Sequence, residues 1–229
     1  MRNVYAKLSF CTKYMQKMNG CMPIGEIERP GIVVGMEAEA RIARQSGYAV
    51  ATLGGAEQLL AAGAGGLISF GIAGGLAPGL KPGRLVVATE VVAADGRRYP
   101  AFALTLGARG EPEPVRAPIY GAGAIVSRSI DKQALYKGTG AVAVDLESAA
   151  VARLCADAGV AMAVIRAIGD PADRDLPPAA LVGLKPNGQV DIAAVLRSVF
   201  GSPGQIPALL RVALDTRHAL AALRHALAS

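Results

Sequence analysis

Tryptophan is absent, aromatic residues make up 4% of the chain, and 229 residues contain only two histidines. With so few histidines there is no Ser/His/Asp set and no metal-ligand cluster to read. Three cysteines (Cys11, Cys21 and Cys155) cannot all pair with one another, and their spacing fits no zinc pattern, so reduced thiols are expected. No apolar run approaches the roughly 20 residues of a membrane span. The first 30 residues lack the apolar core of a secretory signal, so a cytoplasmic protein is expected. Charged residues reach only 18%. This composition excludes a disordered chain, a coiled coil, a collagen-like repeat and a disulfide scaffold.

The chain does contain 52% hydrophobic residues, 28 glycines and 14 prolines, which suits one globular domain with at most a small appendage. Its net charge of +6 is uneven. Up to Pro30, the cations Arg2, Lys7, Lys13, Lys17 and Arg29 face only Glu26 and Glu28, so half the excess lies there. The remainder is too thin for a nucleic-acid face, and no nucleic-acid partner is expected. Residues 1–30 hold two of the three cysteines and four of the six methionines, and read as a weakly structured appendage. The domain proper is expected at 31–229.

From Gly31, short apolar runs alternate with Ala-rich stretches. The runs are Ile32–Met36, Tyr48–Leu53, Gly66–Phe70, Arg84–Ala93, Ile119–Val126, Ala141–Val144 and Ala161–Ile168. Continuous Val/Ile-rich runs of this length suit strands buried on both faces. The stretches Glu37–Ser46, Ala56–Gly63, Ser129–Lys137 and Glu147–Ala158 read as helices ending at Gly47, Gly63, Gly138 and Gly159. Residues 94–118, with four prolines, read as a loop or lid. The end is helical at Ile192–Phe200 and Ile206–Ala228. The fold class is α/β: a single domain with a mixed, mostly parallel central sheet flanked by helices.

Such sheets bind ligands at the carboxyl ends of their strands. The residues following the runs are Gly35, Met36, Glu37 and Glu39; then Gly71 to Leu76; then Asp95; then Asp145 to Ser148; then Gly169, Asp170 and Pro171. Asp170 ends a buried strand, where apolar walls raise a carboxyl pKa and suit a general acid; a turn or N-cap aspartate is the other reading. Glu147 is placed to accept from a ligand hydroxyl, with Asp145 as a helix N-cap. Glu39 is a second acid or base, or a solvated first-turn residue. Gly71–Gly75 reads as a turn that admits a ligand to the backbone, or as close strand–helix packing; it lacks the dinucleotide fingerprint.

Taken in order, four motifs resemble the purine nucleoside phosphorylase and nucleosidase superfamily: Gly35-Met36-Glu37-Ala38-Glu39, Gly71-Ile72-Ala73-Gly74-Gly75-Leu76, Ala143-Val144-Asp145-Leu146-Glu147 and Arg166-Ala167-Ile168-Gly169-Asp170. Asp170-Pro171-Ala172-Asp173-Arg174, Leu176 to Leu181 and Ser202 to Pro207 are similar to the hopanoid-associated phosphorylases within it. Leu146 stands where that superfamily usually has Met, and Gly169 where it usually has Ser. The stretch between Met36 and Gly71 is shorter than in relatives.

The resemblance implies a nucleoside phosphorylase-like fold that cleaves a purine N-glycosidic bond, with adenosylhopane as substrate and adenine as product. It implies Asp170 as catalytic acid and Glu39 as base. Glu147, Leu146, Gly71, Ala73, Gly74 and Gly169 would bind substrate, and Gly35, Arg41 and Arg44 phosphate. No cofactor or metal is implied; phosphate is the alternative to water as nucleophile, and identical subunits would assemble. A 5′-methylthioadenosine/S-adenosylhomocysteine-type nucleosidase and a non-catalytic purine-binding relative remain the alternatives. The terminal helix carries Arg211, Arg217 and Arg224 beside an apolar stripe that includes Leu223, and reads as a cover for the sheet or as a weak membrane-surface contact.

Overall fold

Two ten-residue strands organise the molecule. A computed structural model describes residues 22–23, 27–106, 112–182 and 192–227. In chain order the strands are β1 (Met22–Pro23), β2 (Gly31–Val34), β3 (Ala49–Thr52), β4 (Gly66–Gly75), β5 (Leu85–Ala93), β6 (Arg98–Pro100), β7 (Leu104–Thr105), β8 (Val115–Gly121), β9 (Ala143–Asp145) and β10 (Ala161–Asp170). The helices are α1 (Glu37–Ala43), α2 (Ala56–Ala61), α3 (Ser129–Thr139), α4 (Ser148–Ala158), α5 (Pro178–Val182), α6 (Ile192–Gly201) and α7 (Ile206–Leu227). Together they form a single α/β domain, as the strand–helix alternation indicates.

Strands β10 and β4 run parallel, from Ala161 opposite Gly66 to Ile168 opposite Ala73. The sheet continues in the order β10, β5, β8, β9, β4, β2, β3, with β6 beside β5. Because β10 pairs with both β4 and β5, five of these strands close on themselves. The long apolar runs follow from burial on both faces. Along β2, Ile32 and Val34 join the core beneath α1 and α7, and Val33 between them joins the core beneath α4. Along β10, Ala163, Ile165 and Ala167 alternate in the same way with Met162, Val164 and Ile168. Helix α7 lies on β10 through Ala219, Leu223 and Ala226, which share one helical face.

Strand β4 changes partner along one edge. Its ladder with β2 ends at Ser69, and its ladder with β9 begins at Gly74. The edge between opens as the β2 and β9 ladders diverge, and the candidate site forms there.

Several expectations are corrected. Gly71–Gly75 is not a turn but the last half of β4. The segment 94–118 is not one loop: it contributes β6, β7 and the start of β8. Pro118 fits inside β8 because the ladder slips there, so that Thr89 and Glu90 of β5 stand against it alone. Helix α3 runs through Gly138 and stops at Gly140, whose φ of 75° gives the left-handed cap. Cys155 is a free thiol that burial pushes up to about 12; Cys11 and Cys21 lie outside the described residues.

The expected appendage also lies largely outside the described residues. Within them, β1 pairs with β7, and Ile27 is 1% exposed in the main core, its branch against Gly66. Packing therefore begins before Gly31, because the chain entering β2 crosses the foot of β4. Ile27→Ala is expected to lower unfolding free energy by about 2–5 kcal/mol, read from the urea midpoint. A midpoint unchanged from the parent would show that this entry segment is dispensable.

Candidate active site

Glu39 reaches the open edge of β4 from α1. Only two residues, Gly35 and Met36, separate β2 from the helix, so its third residue faces back over the strand tips. Glu39 is 3% exposed, not a solvated first-turn acid. Its Oε2 accepts the N–H groups of Gly35 at 3.0 Å and Met36 at 2.8 Å, and its Oε1 accepts that of Ile72 at 2.8 Å. Burial raises its pKa, against the pull of these three donors and Arg166. A carboxylate offers about four acceptor positions, so one is left for a ligand or water. Gly71 makes this possible: a Cβ there would sit 2.5 Å from Glu39 Oε1.

Behind Glu39 lies a fully buried network. Arg166 of β10 donates through Nε to Asp145 Oδ2 at 2.5 Å and through Nη2 to Ser69 Oγ at 2.7 Å and Ser148 Oγ at 3.2 Å. Asp145 also accepts the Ser148 N–H at 3.0 Å and its hydroxyl. It is thus a buried strand residue in an ion pair, not a helix N-cap. Burial opposes the charge on Arg166, and the carboxylates of Asp145, Glu147 and Glu39 outweigh it, holding the pKa above its ordinary value.

Glu147 is the residue just before α4, its Oε2 3.6 Å from Arg166 Nη2. Burial raises its pKa first of all; Arg166 draws it down, and Asp145 and Glu39 push it up. Gly35 gives it room, since any Cβ at that position would collide with Glu147 Oε1.

Asp170 closes the other end of the site. The register between β10 and β4 shifts after Ile168, so that Asp170 lies opposite Gly74 with Gly169 bulged out. Its carboxyl is raised by burial and lowered by the Lys132 ammonium 2.5 Å away. It is an acid inside a pocket, not a helix cap.

The pocket is lined by Gly35, Glu39, Ala73, Gly74, Leu146, Glu147, Gly169 and Asp170, which the sequence singles out. The opposite wall is apolar: Ile125 and Val126 before α3, Leu176, Ala180, Leu181, and Val212 of α7. Three expectations are corrected. Gly71 does not line it, because Glu39 covers that position. Gly35 is no free phosphate donor, since its N–H goes to Glu39. Arg41 and Arg44 are exposed and off the pocket: residues step about 100° around a helix, and α1 turns Glu39 inward and both arginines outward. Arg44 instead pairs with Glu37 at 2.8 Å. Asp95 is likewise away from the pocket, in the β5–β6 hairpin beside Arg97. Lys132, Ser69 and the role of Arg166 escape the sequence reading, because their bonds join residues 18 to 97 positions apart. An ion-pairing residue in mid-helix carries no local signal.

Gly71→Ala should displace the Glu39 carboxylate while leaving β4 paired, since its backbone φ is ordinary. We expect a folded variant, by circular dichroism, whose turnover falls as far as that of Glu39→Gln. Parent-level turnover would show that Glu39 need not sit where it does.

The family model of the phosphorylase superfamily matches residues 24–119 and 101–199. No curated protein matches the chain. Among solved structures, the 5′-methylthioadenosine/S-adenosylhomocysteine nucleosidase of Neisseria meningitidis, in complex with methylthio-immucillin-A, is similar at a TM-score of 0.60 and 18% identity, over 86% of this chain and 95% of that one. A futalosine hydrolase mutant of Helicobacter pylori is similar at 0.58 and 19%, over 86% and 96%. The S-adenosylhomocysteine nucleosidase of Streptococcus pyogenes, in complex with 5-methylthiotubericidin, is similar at 0.56 and 18%, over 88% and 97%. These likenesses establish the fold. With Glu39, Glu147 and Asp170 all inside the stretches that the family model matches, the chain belongs to the phosphorylase superfamily.

Proposed function

We propose that the protein hydrolyses the N-glycosidic bond of a purine nucleoside, releasing the base. One observation carries the choice of water over phosphate. Among the described residues, the charged side chains lining the pocket are Glu39, Asp145, Glu147 and Asp170, all acidic, with no Lys or Arg. The two cations just behind them are already engaged, Arg166 by Asp145, Ser69, Ser148 and Glu147, and Lys132 by Asp170 and the carbonyls of Pro171 and Arg174. A phosphate anion would meet like charge there. Water suits the site, and Glu39 is the base that accepts its proton.

The remaining roles follow from charge development. A purine leaves poorly as an anion, and a proton delivered to N7 lets it leave neutral. Asp170, its pKa raised by burial, holds that proton. The sugar gains oxocarbenium character as the bond stretches. Glu147, accepting from the ribose hydroxyls, places negative charge beside that cation. The structural neighbours support this reading, having been solved as nucleosidases and a hydrolase.

The finer reading concerns the rest of the substrate. Leu176, Ala180 and Leu181 belong to the segments that resemble the hopanoid-associated subgroup, and all three line the apolar wall. That wall suits an apolar group on the sugar, and adenosylhopane is the substrate we infer; a smaller adenosine thioether, as in the nucleosidases, is the second reading. The test is adenine release from each, with and without inorganic phosphate. A free sugar product at a phosphate-independent rate is expected, and a phosphate-dependent rate would overturn hydrolysis. Asp170→Asn should lower release by about 10²–10⁴-fold in the same assay. Near-full activity would remove Asp170 from the mechanism.

A lipid-borne substrate also needs a way to be reached. Among the described residues, no helix is long and apolar enough to cross a membrane. Helix α7 turns Ala219 and Leu223 into the core, but its first half leaves Ile206, Leu210 and Leu214 exposed, with Arg217 and Arg224 further along the same face. We infer that this face rests against anionic headgroups, beside the pocket wall to which Val212 contributes. Flotation with anionic but not neutral vesicles at low salt is expected. Absence from both would leave α7 as packing alone.

A further inference from the structure

Lys132 of α3 has a side chain wholly shut off from solvent. A buried ammonium is costly unless each hydrogen finds an acceptor. Here one goes to Asp170 Oδ2 at 2.5 Å, one to the Pro171 carbonyl at 3.0 Å and one to the Arg174 carbonyl at 2.9 Å. The same loop is tied twice more to the approach to α3. Asp175 Oδ1 accepts the Ser129 N–H at 2.6 Å, and the Leu176 N–H donates to Ser127 O at 2.9 Å. The ammonium is therefore the centre of a clasp between α3 and the loop that follows the acid. Leu176, on that loop, lines the pocket. With Oδ2 held by Lys132, Oδ1 is the oxygen left to carry a proton, and Asp170 lies beside Gly74 with both residues lining the pocket.

We propose that Lys132 is a positioning residue for the acid: it fixes Asp170 with Oδ1 toward the base and supplies the positive charge that the carboxylate needs once its proton has gone. The inference rests on the nucleosidase reading above. In the step, the Oδ1–H bond breaks as N7–H forms, and the glycosidic electron pair passes to the base. Water gives hydroxide to the sugar and its proton to Glu39. The carboxylate left behind pairs with an ammonium that keeps all three of its hydrogens. Proton exchange with solvent then resets Glu39 and Asp170. The place of this charge is notable because Gly169, next to the acid, offers no hydroxyl. Among the described residues, three other charged groups face the pair. Arg174 favours the ionised acid and Asp215 disfavours it, these two being joined to each other at 2.6 Å. Asp175 interacts with Lys132 from the loop.

The test compares parent, Lys132→Met and Lys132→Arg protein by two measurements. One is the titration of Asp170 by NMR of aspartate labelled at the carboxyl carbon, assigned with Asp170→Asn. The other is the basic limb of kcat/KM for adenine release, which reports the ionisation of the free acid. Without the ammonium, burial acts on Asp170 with less opposition. The midpoint should rise by about 1–3 pH units in Lys132→Met, with the basic limb following it and the plateau kcat falling. Lys132→Arg should restore both toward the parent. If Lys132→Met does not fold, Lys132→Gln keeps donors for the two carbonyls without the charge and gives the same comparison. A midpoint that stays put in the folded neutral variant overturns the inference. So does a midpoint that moves while the limb does not. A parent protein that titrates normally but releases no base overturns the nucleosidase reading, and with it the catalytic use of the pair.

Discussion

One buried guanidinium makes the site possible. Arg166 is 1% exposed, and three carboxylates (Asp145, Glu147 and Glu39) lie within its field. Breaking a buried pair of this kind typically costs about 3–5 kcal/mol, because the remaining charge is stranded. The cost of removing Arg166 would be spread over the whole sheet. Its partners come from β4 (Ser69), from β9 (Asp145) and from the start of α4 (Ser148), so the polar network pins strands that converge from distant parts of the chain. The opening in β4's edge keeps its shape because what lies behind it is fixed by directional bonds as well as by apolar packing.

The arrangement has a thermodynamic cost. Glu39, Glu147 and Asp170 all have pKa values raised by burial. For each, the folded protein binds the proton more readily than the unfolded chain does. Their favourable contribution is fully present below the ordinary carboxylate range and is lost as the pH rises through the raised values. Near neutrality the fold therefore holds these groups at the expense of its own stability. Stability given up at these three carboxyl groups is what a site shaped for reaction rather than for packing would show.

Much of this was legible in the sequence. Glu39, Glu147 and Asp170 follow buried strands, and in a parallel sheet the strand tips are where polar groups converge. The strands themselves were visible as Val/Ile runs because both faces are buried. What was not legible depended on direction. Arg41 and Arg44 are near Glu39 in sequence, but a short helix turns them to the other side. Lys132 looks like any lysine in a helix until α3 is laid against the loop after β10. Glycine departs from the expectation for a physical reason: Gly71 and Gly74 suggest a turn, yet here they stay extended, and their missing side chains make room for the carboxylates of Glu39 and Asp170.

The bulge at Gly169 makes the orientation of the acid a matter of parity. Side chains alternate along a strand, so one extra residue before Asp170 turns it to the opposite face from the one it would take in unbroken register. Unbroken pairing would set it opposite Gly75 and on the same side as Ile168, within the core. With Ile72 in place the extra residue tolerates no side chain, since a Cβ at 169 would run into it. Position 169 and residue 72 are therefore one steric unit: a larger residue at the first requires a smaller one at the second. Where the acid points cannot drift by small steps. It can change only by a whole residue, so the bulge and not the packing along β10 sets the face that Asp170 takes.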